Sequence, residues 1–490
     1  MTSPIDTATI PVAPATTPAS ASAPKRWWAL AVIALTQLVV VLDGTIVNIA
    51  LPAAQQDLGL SDAERQWVVT AYALVFGALL LLGGRVADFW GRKRAFIVGM
   101  IGFGAASLYG GLAQGATDLI IARGLQGLFA ALLAPAALAL LTVTFPFGRD
   151  RNTAFAVYGA VAGSGAAVGL LLGGFLTEFT SWRWCLLVNL FFVAVAVIVG
   201  AVVLQESKAP ARGRLDIWGA VTVTLGFGSL VYGFTLAEAG WIRLDTLGFL
   251  AGGVLLLALF VWIESRVVHP LLPLRVVMHR VRAGAYVIQA IIGSVLIGTT
   301  LYMTLHLQLV LGMAPLMAGL ATVVMTVSTL AVVPLFTRLL AVSGPRPLMV
   351  GGPLVAAAGM AWLGRITADG NYVTQMLPGL ILLGAGIGIT FVPLQNLALI
   401  GVAPADAGAA SATVNASMQL GGSVGLSLFA LVAASATATA QSSGEGVSAS
   451  LAAGYGLVFT SAAIALVIAA VVAFVCVRGA KEDLMPSHAS

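Results

Sequence analysis

One carboxylate interrupts a long apolar segment near the start of the chain. Asp43 lies in the stretch VVVLDGTIVNIALP, which runs from Val39 to Pro52. A charged side chain at the centre of a membrane costs on the order of 2.5 to 3.5 kcal/mol on insertion scales, so a protein that keeps one there usually uses it. Asp43 is therefore a candidate for binding and releasing a proton. The alternative is a structural acid that hydrogen bonds to a neighbouring helix through Thr45 or Asn48.

A second charge lies inside another apolar segment. Arg123 follows Asp118 by five residues, about 7 to 8 Å along a helix, and Asp43 precedes Pro52 by nine residues, about 13 to 14 Å. If both segments cross a membrane, these depths allow the two side chains to meet. Gln126, slightly less than one turn beyond Arg123, is placed to line the same cavity. A buried ion pair with a structural role is the alternative, and it is compatible with a functional one.

The composition shows which elements position these side chains. The 490 residues are 59% hydrophobic and 9% charged, with a mean hydropathy of +1.01, which excludes a water-soluble domain. Gly and Pro occur inside the apolar stretches, as packed membrane helices tolerate. Stretches of roughly 20 uncharged residues, enough to cross a bilayer, predict fourteen helical spans, near 27–50, 66–84, 95–117, 119–144, 153–176, 184–205, 217–237, 246–263, 284–306, 315–337, 347–364, 375–400, 407–434 and 452–477.

The basic residues predict the orientation of the spans. Of the 24 Lys and Arg residues, eighteen fall on the side of the termini, four on the other side and two in or at the edge of spans. By the positive-inside rule, both termini are cytoplasmic. The net charge of +5 then reports topology, and we expect no nucleic-acid partner. A multi-pass chain without a signal peptide or lipidation motif suggests a bacterial cytoplasmic (plasma) membrane.

Two charged connections divide the chain into six, two and six spans. We predict a disordered cytoplasmic tail (1–26), a six-helix bundle (27–205), cytoplasmic linkers with two extra transmembrane helices (206–282), a second six-helix bundle (283–477) and a cytoplasmic tail (478–490). The turn after span 2 and that after span 10 are faintly alike, which is typical of duplicated transporter halves. Cys185 and Cys476 are predicted near opposite membrane faces, so neither a disulfide nor a metal site is expected.

Several stretches together resemble one transporter family. They are LDGTIVNIALP in span 1, GGRVADFWGRKR after span 2, IARGLQGLFAALLAPA in span 4, GSGAAVGLLLGG and SWRWCLLVNL at spans 5 and 6, and NASMQLGGSVG in span 13. In this order they resemble the major facilitator superfamily, fourteen-helix drug:proton antiporter type, over nearly all of residues 27–477. The resemblance implies an all-α integral membrane protein of two six-helix bundles plus two central helices. It also implies a proton-coupling role for Asp43 and Arg123.

The turn after span 2 resembles the cytoplasmic gate of the family. An aspartate on such a turn can pair with arginines, or with a helix N-terminus in the other half, and so hold that side closed. Phe89 stands where the family usually has a basic residue, so one family contact lacks its usual residue. Positive-inside charge alone explains the basic residues well but Asp88 poorly. The predicted gate residues are Gly84, Asp88, Gly91, Arg92, Lys93 and Arg94.

Span 5 has a glycine face of a kind that lets helix backbones pack closely. It consists of Gly165, Gly169, Gly173 and Gly174. The family motif associated with antiporters has a proline after the second of these glycines, but here Leu170 follows it. The kink that proline would introduce is therefore missing. This departure weakens the antiport interpretation, and helix packing alone is an equal alternative.

The remaining polar residues in the spans are candidates for a substrate cavity. Amides and an imidazole offer hydrogen bonds, while Met and aromatic side chains offer an adaptable apolar wall. With one clearly available carboxylate, the cavity suits a neutral or singly charged lipophilic molecule. The predicted cavity residues are Asn48, Gln126, Gln289, His306, Gln308, Gln395, Asn396, Asn415 and Gln419.

The predicted function is secondary active export of lipophilic drugs or a natural product in exchange for protons. We expect no cofactor, since the proton gradient drives transport, and a monomer in the lipid bilayer whose partners are protons and a small lipophilic or cationic substrate. An embedded enzyme is disfavoured because no HExxH motif, Walker lysine or clustered His/Asp set occurs. A proton-coupled importer or a facilitator on the same scaffold remains the open alternative.

Overall fold

The chain is almost entirely helical in the computed structural model, which describes residues 23–145, 148–208, 216–237, 239–268, 270–402 and 406–478. These residues form fourteen helices of at least 19 residues, one short helix, and two π-helical turns at His306–Val310 and Tyr372–Met376. The helices are α1 (Ala23–Leu58), α2 (Asp62–Trp90), α3 (Arg92–Gly111), α4 (Ala116–Thr144), α5 (Arg149–Phe179), α6 (Trp184–Val203), α7 (Ile217–Ala237), α8 (Leu244–Arg266), α9 (Leu274–Val277), α10 (Arg280–Leu305), α11 (Pro315–Ser343), α12 (Pro345–Leu363), α13 (Leu377–Ala398), α14 (Ala407–Ser442) and α15 (Val447–Cys476).

The long helices correspond to the predicted spans, and several extend beyond the apolar stretch that predicted them. Twelve are long and apolar enough to cross a membrane; α3 and α12 lie outside that set, so a count of fourteen spans is compatible with the structure. The short helix α9 lies inside the predicted linker 206–282. The predicted tails fall largely outside the described residues, as does the linker segment 209–215.

Local sequence signals explain where helices begin and end. Ser61 and Glu64 form a reciprocal capping box at the start of α2. Gly91, with φ of +126°, separates α2 from α3, and Gly344, with φ of +74°, separates α11 from α12. Glycine adopts these backbone conformations without a Cβ clash. Both turns thus contain a glycine with positive φ, at the two positions where the sequence shows its faint repeat.

The helices pack as two groups with a hairpin between them. Helices α1 to α6 contact mainly one another, as do α10 to α15. The groups meet where α2 packs on α14 and where α5 packs on α11, while α7 contacts α8, α2 and α14. We call the face where α1 begins and α15 ends the terminal face. At the opposite face two hydrogen bonds join the groups: Gln308 Nε2 donates to the Ile49 carbonyl (3.0 Å), and the Leu316 N–H donates to Glu178 (3.0 Å).

The glycine face of α5 is divided between two partners. A Cβ at Gly165 or Gly173 would press on Val41 or Ile46 of α1, and one at Gly169 would lie 2.9 Å from the Leu42 carbonyl oxygen. A Cβ at Gly174 would instead lie 2.6 Å from the Leu316 Cα in α11. Three of the four glycines therefore set the distance between α5 and the helix that carries Asp43.

We expect Gly169→Ala to lower the free energy of unfolding by about 1 to 3 kcal/mol, because a new methyl group would meet immobile backbone. Thermal unfolding of the purified protein in detergent measures this. Gly159→Ala is the matched control in the same helix, where an added Cβ meets open space, and it should leave stability equal or slightly higher. Equal melting temperatures for the two variants would contradict the packing argument.

Candidate functional site

The structure places Asp43 of α1 and Arg123 of α4 in direct contact inside the first helix group. Arg123 Nη1 lies 2.5 Å from Asp43 Oδ2. The Asp43 side chain is 0% exposed and that of Arg123 is 1% exposed. Removing two charges from solvent is costly unless their hydrogen bonds are satisfied. The surroundings of the pair therefore determine whether it is stable.

Two amides complete the coordination of the Asp43 carboxylate. Gln126 Nε2 and Asn189 Nδ2 each donate to Asp43 Oδ1, both at 2.8 Å. Gln126 Nε2 also donates to the Ser107 hydroxyl at 2.8 Å, and Asn189 Nδ2 lies 3.4 Å from the same oxygen. These side chains come from α3, α4 and α6 and are fully buried. We call Asp43, Arg123, Gln126, Asn189 and Ser107 the carboxylate cluster.

The Arg123 guanidinium is held on its other sides by α2 and by Gln126. Its Nε donates to the Val68 carbonyl at 3.1 Å, and its Nη1 also donates to Gln126 Oε1 at 2.7 Å. Its Cζ lies 4.4 Å from the centre of the Tyr72 ring, within the range of a cation–π contact. These contacts hold the Arg123 guanidinium in place in addition to its ion pair with Asp43.

This arrangement surrounds the Asp43 carboxylate with hydrogen-bond donors. Asp43 Oδ1 accepts hydrogen bonds from two amides, and Oδ2 accepts one from Arg123. Asn189 Oδ1 is buried and accepts no hydrogen bond. A flip of this amide would therefore present an acceptor to a protonated Asp43.

Sequence reasoning identified three members of the cluster and missed two. Asn189 and Ser107 are the missed residues, although each is a polar side chain well inside a predicted span. Asn189 also lies in the stretch SWRWCLLVNL, one of those that carry the family resemblance. Gln126, predicted for the substrate cavity, belongs to the carboxylate cluster.

The predicted gate residues make their contacts within the first helix group. Asp88 Oδ1 accepts from Arg92 Nε at 2.9 Å. The N–H groups of Lys93 and Arg94, at the start of α3, donate to Glu206 at 3.1 and 3.2 Å. Glu206 thus supplies the negative charge at this helix N-terminus, and the sequence analysis did not identify it. Among the described residues, no hydrogen bond or ion pair joins Asp88 to the second group.

The other predicted cavity residues are dispersed across several helices. Asn48, Gln289 and His306 are buried, Asn396 and Asn415 are exposed, and Gln308 bonds to the backbone of α1. Among the described residues, no hydrogen bond joins any of the nine predicted cavity residues to another. Both His306 nitrogens, Asn48 Oδ1 and Thr304 Oγ1 are buried without a partner. The substrate cavity therefore stays a prediction.

A family model described as Major Facilitator Superfamily matches residues 33–426. The chain belongs to the Major Facilitator Superfamily. Membership confirms the resemblance that the motifs predicted, and it identifies a multi-pass membrane transporter for small molecules rather than an enzyme.

Curated relatives in the superfamily cover most of this chain. The puromycin resistance protein of Streptomyces alboniger is 49% identical over 413 residues, covering 84% of this chain and 82% of its own length. The cephamycin export protein of Amycolatopsis lactamdurans is 38% identical over 412 residues, 82% of this chain and 84% of its own. The tetracenomycin C resistance and export protein of Streptomyces glaucescens is 34% identical over 420 residues, 85% of this chain and 77% of its own.

Solved structures share the fold at low sequence identity. A bacterial homologue of the human lysosomal transporter Spinster has a TM-score of 0.62 at 16% identity, covering 93% of this chain and 98% of that chain. A peptide transporter solved with sulfate has a TM-score of 0.66 at 13% identity, covering 91% of this chain and 94% of that chain. These likenesses establish the all-helical transporter fold.

We expect Asp43 and Arg123 to be strongly coupled in stability. Arg123→Gln leaves a buried carboxylate unpaired and should cost about 3 to 5 kcal/mol. The double variant Asp43→Asn, Arg123→Gln should cost less than the sum of the single variants, because no unpaired charge remains. Unfolding of the purified proteins in detergent measures the coupling energy.

The exposed pair Asp245 and Arg243, with side chains 40% and 54% exposed, is the matched control. Its coupling should be about 0 to 1 kcal/mol. Additive effects at Asp43 and Arg123 would mean that the buried contact contributes no net coupling.

Proposed function

We propose that the protein exports a lipophilic natural product or drug across the cytoplasmic membrane in exchange for protons, by alternating access. The names of three relatives from actinobacterial genera refer to resistance to, or export of, puromycin, cephamycin and tetracenomycin C. Their similarity over more than four fifths of this chain supports the export of an organic compound of this kind. The carboxylate cluster is the observation that supports proton coupling.

Asp43 is the proposed site of the coupling proton. Arg123 is always charged, so Asp43 and Arg123 attract each other whenever the helices allow contact. When α1 moves away from Arg123, Asp43 loses its compensating charge and takes up a proton. When contact is restored, the proton is released. Arg123 thus acts as an internal competitor for the carboxylate.

Competition at Asp43 gives antiport. A positively charged substrate can neutralise the carboxylate in place of the proton. Once Asp43 has separated from Arg123, the carrier reorients only when one of the two ligands has compensated the carboxylate, because an uncompensated buried charge is costly. With one available carboxylate, this competition exchanges one singly charged cation for one proton in each cycle.

The orientation follows from charge and the conformation from contacts between the helix groups. The basic residues concentrate at the terminal face, which we assign to the cytoplasm. The groups are hydrogen bonded at the opposite face through Gln308 and Glu178. These features support a state closed to the outside.

The proposed transporter works as a monomer in a bacterial plasma membrane, without a cofactor.

The deciding experiment measures transport in inverted membrane vesicles with an imposed pH gradient, acidic inside. We expect the gradient to drive uptake of an ethidium-like cation, and of puromycin, into vesicles that contain the parent chain. Asp43→Asn should reduce the rate of gradient-driven uptake by at least about tenfold. A tenfold loss of rate corresponds to an increase of about 1.4 kcal/mol in the activation free energy. Fluorescence and radiolabel uptake provide the readout.

Asp245→Asn makes the same chemical change at an exposed site on α8 and should transport like the parent. If Asp43→Asn folds and transports like the parent, Asp43 is structural and another group couples the proton. Gradient-driven movement in the opposite direction would identify an importer. That outcome is the one favoured by Leu170, whose side chain is buried where the family has its kink-forming proline.

A further inference from the structure

A second pair of buried acids lies at the terminal-face end of the α7–α8 hairpin, away from the carboxylate cluster. Asp216 immediately precedes α7, and Glu264 lies in the last turn of α8. The two residues are 6% and 3% exposed. Carboxylates are rarely buried to this extent without a partner. Neither residue belongs to a motif that the transport mechanism uses.

Each acid uses one oxygen to accept a backbone hydrogen bond. Asp216 Oδ1 accepts from the Gly219 N–H at 2.8 Å, as a capping residue does in the first turn of a helix. Glu264 Oε2 accepts from the Leu272 N–H at 3.0 Å. The other oxygen of each acid, Asp216 Oδ2 and Glu264 Oε1, is buried without a hydrogen-bond donor.

The two free oxygens point at the same place. A Cβ built at Gly219 would lie 2.6 Å from Asp216 Oδ2 and 2.8 Å from Glu264 Oε1, so these oxygens are at most 5.4 Å apart. The absence of a side chain at Gly219 leaves room for both. The geometry is therefore of two carboxyl groups that face each other across a small space.

No described basic side chain compensates this charge. Of the nearby ionisable groups, Arg85 of α2 donates to the Pro270 carbonyl, Arg266 lies against the Trp262 ring, Asp88 pairs with Arg92, and Asp406 pairs with Arg275. Apart from Asp216 and Asp406, the ranges 216–237 and 406–442, which include α7 and α14, contain no Asp, Glu, Lys, Arg or His. Two ionised carboxylates at such a distance repel each other strongly in a buried site.

We propose that Asp216 and Glu264 share one proton between Oδ2 and Oε1 and so form a second proton-binding site, on the two helices that lie between the transporter halves. A single proton gives each free oxygen its missing partner and leaves one negative charge, which the N–H groups of Gly219 and Leu272 stabilise. This is the arrangement that like-charged carboxyl pairs adopt when they are buried together.

The shared proton links the hairpin to the first helix group. The Leu272 N–H that binds Glu264 is two residues from the Pro270 carbonyl, which accepts from Arg85 of α2 at 3.0 Å. Helix α7 itself contacts both α2 and α14. Loss of the proton introduces repulsion at the point where the hairpin, the linker and α2 meet. The site therefore senses protons at the face assigned to the cytoplasm.

Infrared spectroscopy of the purified, full-length protein tests the proposal without a transport assay. At neutral pH the parent should show the carbonyl stretch of a protonated carboxyl group, and this band should disappear on titration to alkaline pH. Glu264→Gln should lack the contribution, because its amide donates to Asp216 and leaves that residue ionised. Gly219→Ala keeps both acids but fills the space between them, so it should also lose the shared-proton band. Asp245→Asn and Gly248→Ala, where an added Cβ meets open space, are the matched controls and should retain it.

Thermal unfolding across the same pH range provides the second measurement. A shared proton stabilises the folded state, so the melting temperature of the parent should fall as the pair loses its proton, while that of Glu264→Gln should change less. A parent spectrum identical to that of Glu264→Gln would overturn the proposal. So would recovery of the melting temperature at alkaline pH on adding sodium or magnesium to the parent but not to Glu264→Gln, because the pair would then be a cation site.

Discussion

The contact between Asp43 and Arg123 constrains the first half of the molecule. Two charges removed from water are tolerated only if each finds several hydrogen bonds, and here the partners come from five helices. Asp43 on α1 receives donors from α4 and α6, and Arg123 on α4 contacts the backbone and a ring of α2. Ser107 of α3 binds the amide of Gln126. A shift of any one of these five helices breaks a hydrogen bond of a buried polar group. The pair and its partners therefore lock the helices in their relative positions.

Close helix packing is the second condition for this lock. Gly165, Gly169 and Gly173 let α5 approach the segment of α1 that includes Asp43, with backbone atoms of α1 inside the space of a normal side chain. Apolar attraction between helices is weak in lipid, so small residues and buried hydrogen bonds provide most of the association. The same glycines that identify the motif in the sequence therefore have a direct mechanical role, whether or not a proline follows.

The sequence predicted the parts of this structure that depend on one-dimensional signals. Uncharged stretches predicted the long helices, and depth along two helices predicted that Asp43 and Arg123 could meet. Helices α3 and α12, which the sequence also predicted as spans, are less apolar than the other long helices, because α3 starts with three basic residues and α12 contains several glycines and prolines. The sequence did not predict the rotation of each helix about its own axis, which decides which side chains face each other. The roles of three residues therefore depend on the folded structure. Asn189 binds Asp43, Ser107 binds Gln126, and Glu206 accepts hydrogen bonds at the start of α3. The facing oxygens of Asp216 and Glu264 are a stronger example, because 48 residues separate them in the chain.

The two acidic sites differ in the way each one is compensated, and this difference gives each a separate task. Asp43 is paired with a fixed cation, Arg123, so in the proposed mechanism the proton competes with Arg123 for the carboxylate. Asp216 and Glu264 have no such competitor among the described residues, so the proton itself is the compensating charge. In the proposed mechanism the first site converts helix motion into proton exchange, whereas the second converts proton availability into a change of packing. Because the second site lies apart from the carboxylate cluster and is connected to α2 through both the linker and α7, the proposal gives it a role in the equilibrium between conformations and no role in carrying charge with the substrate.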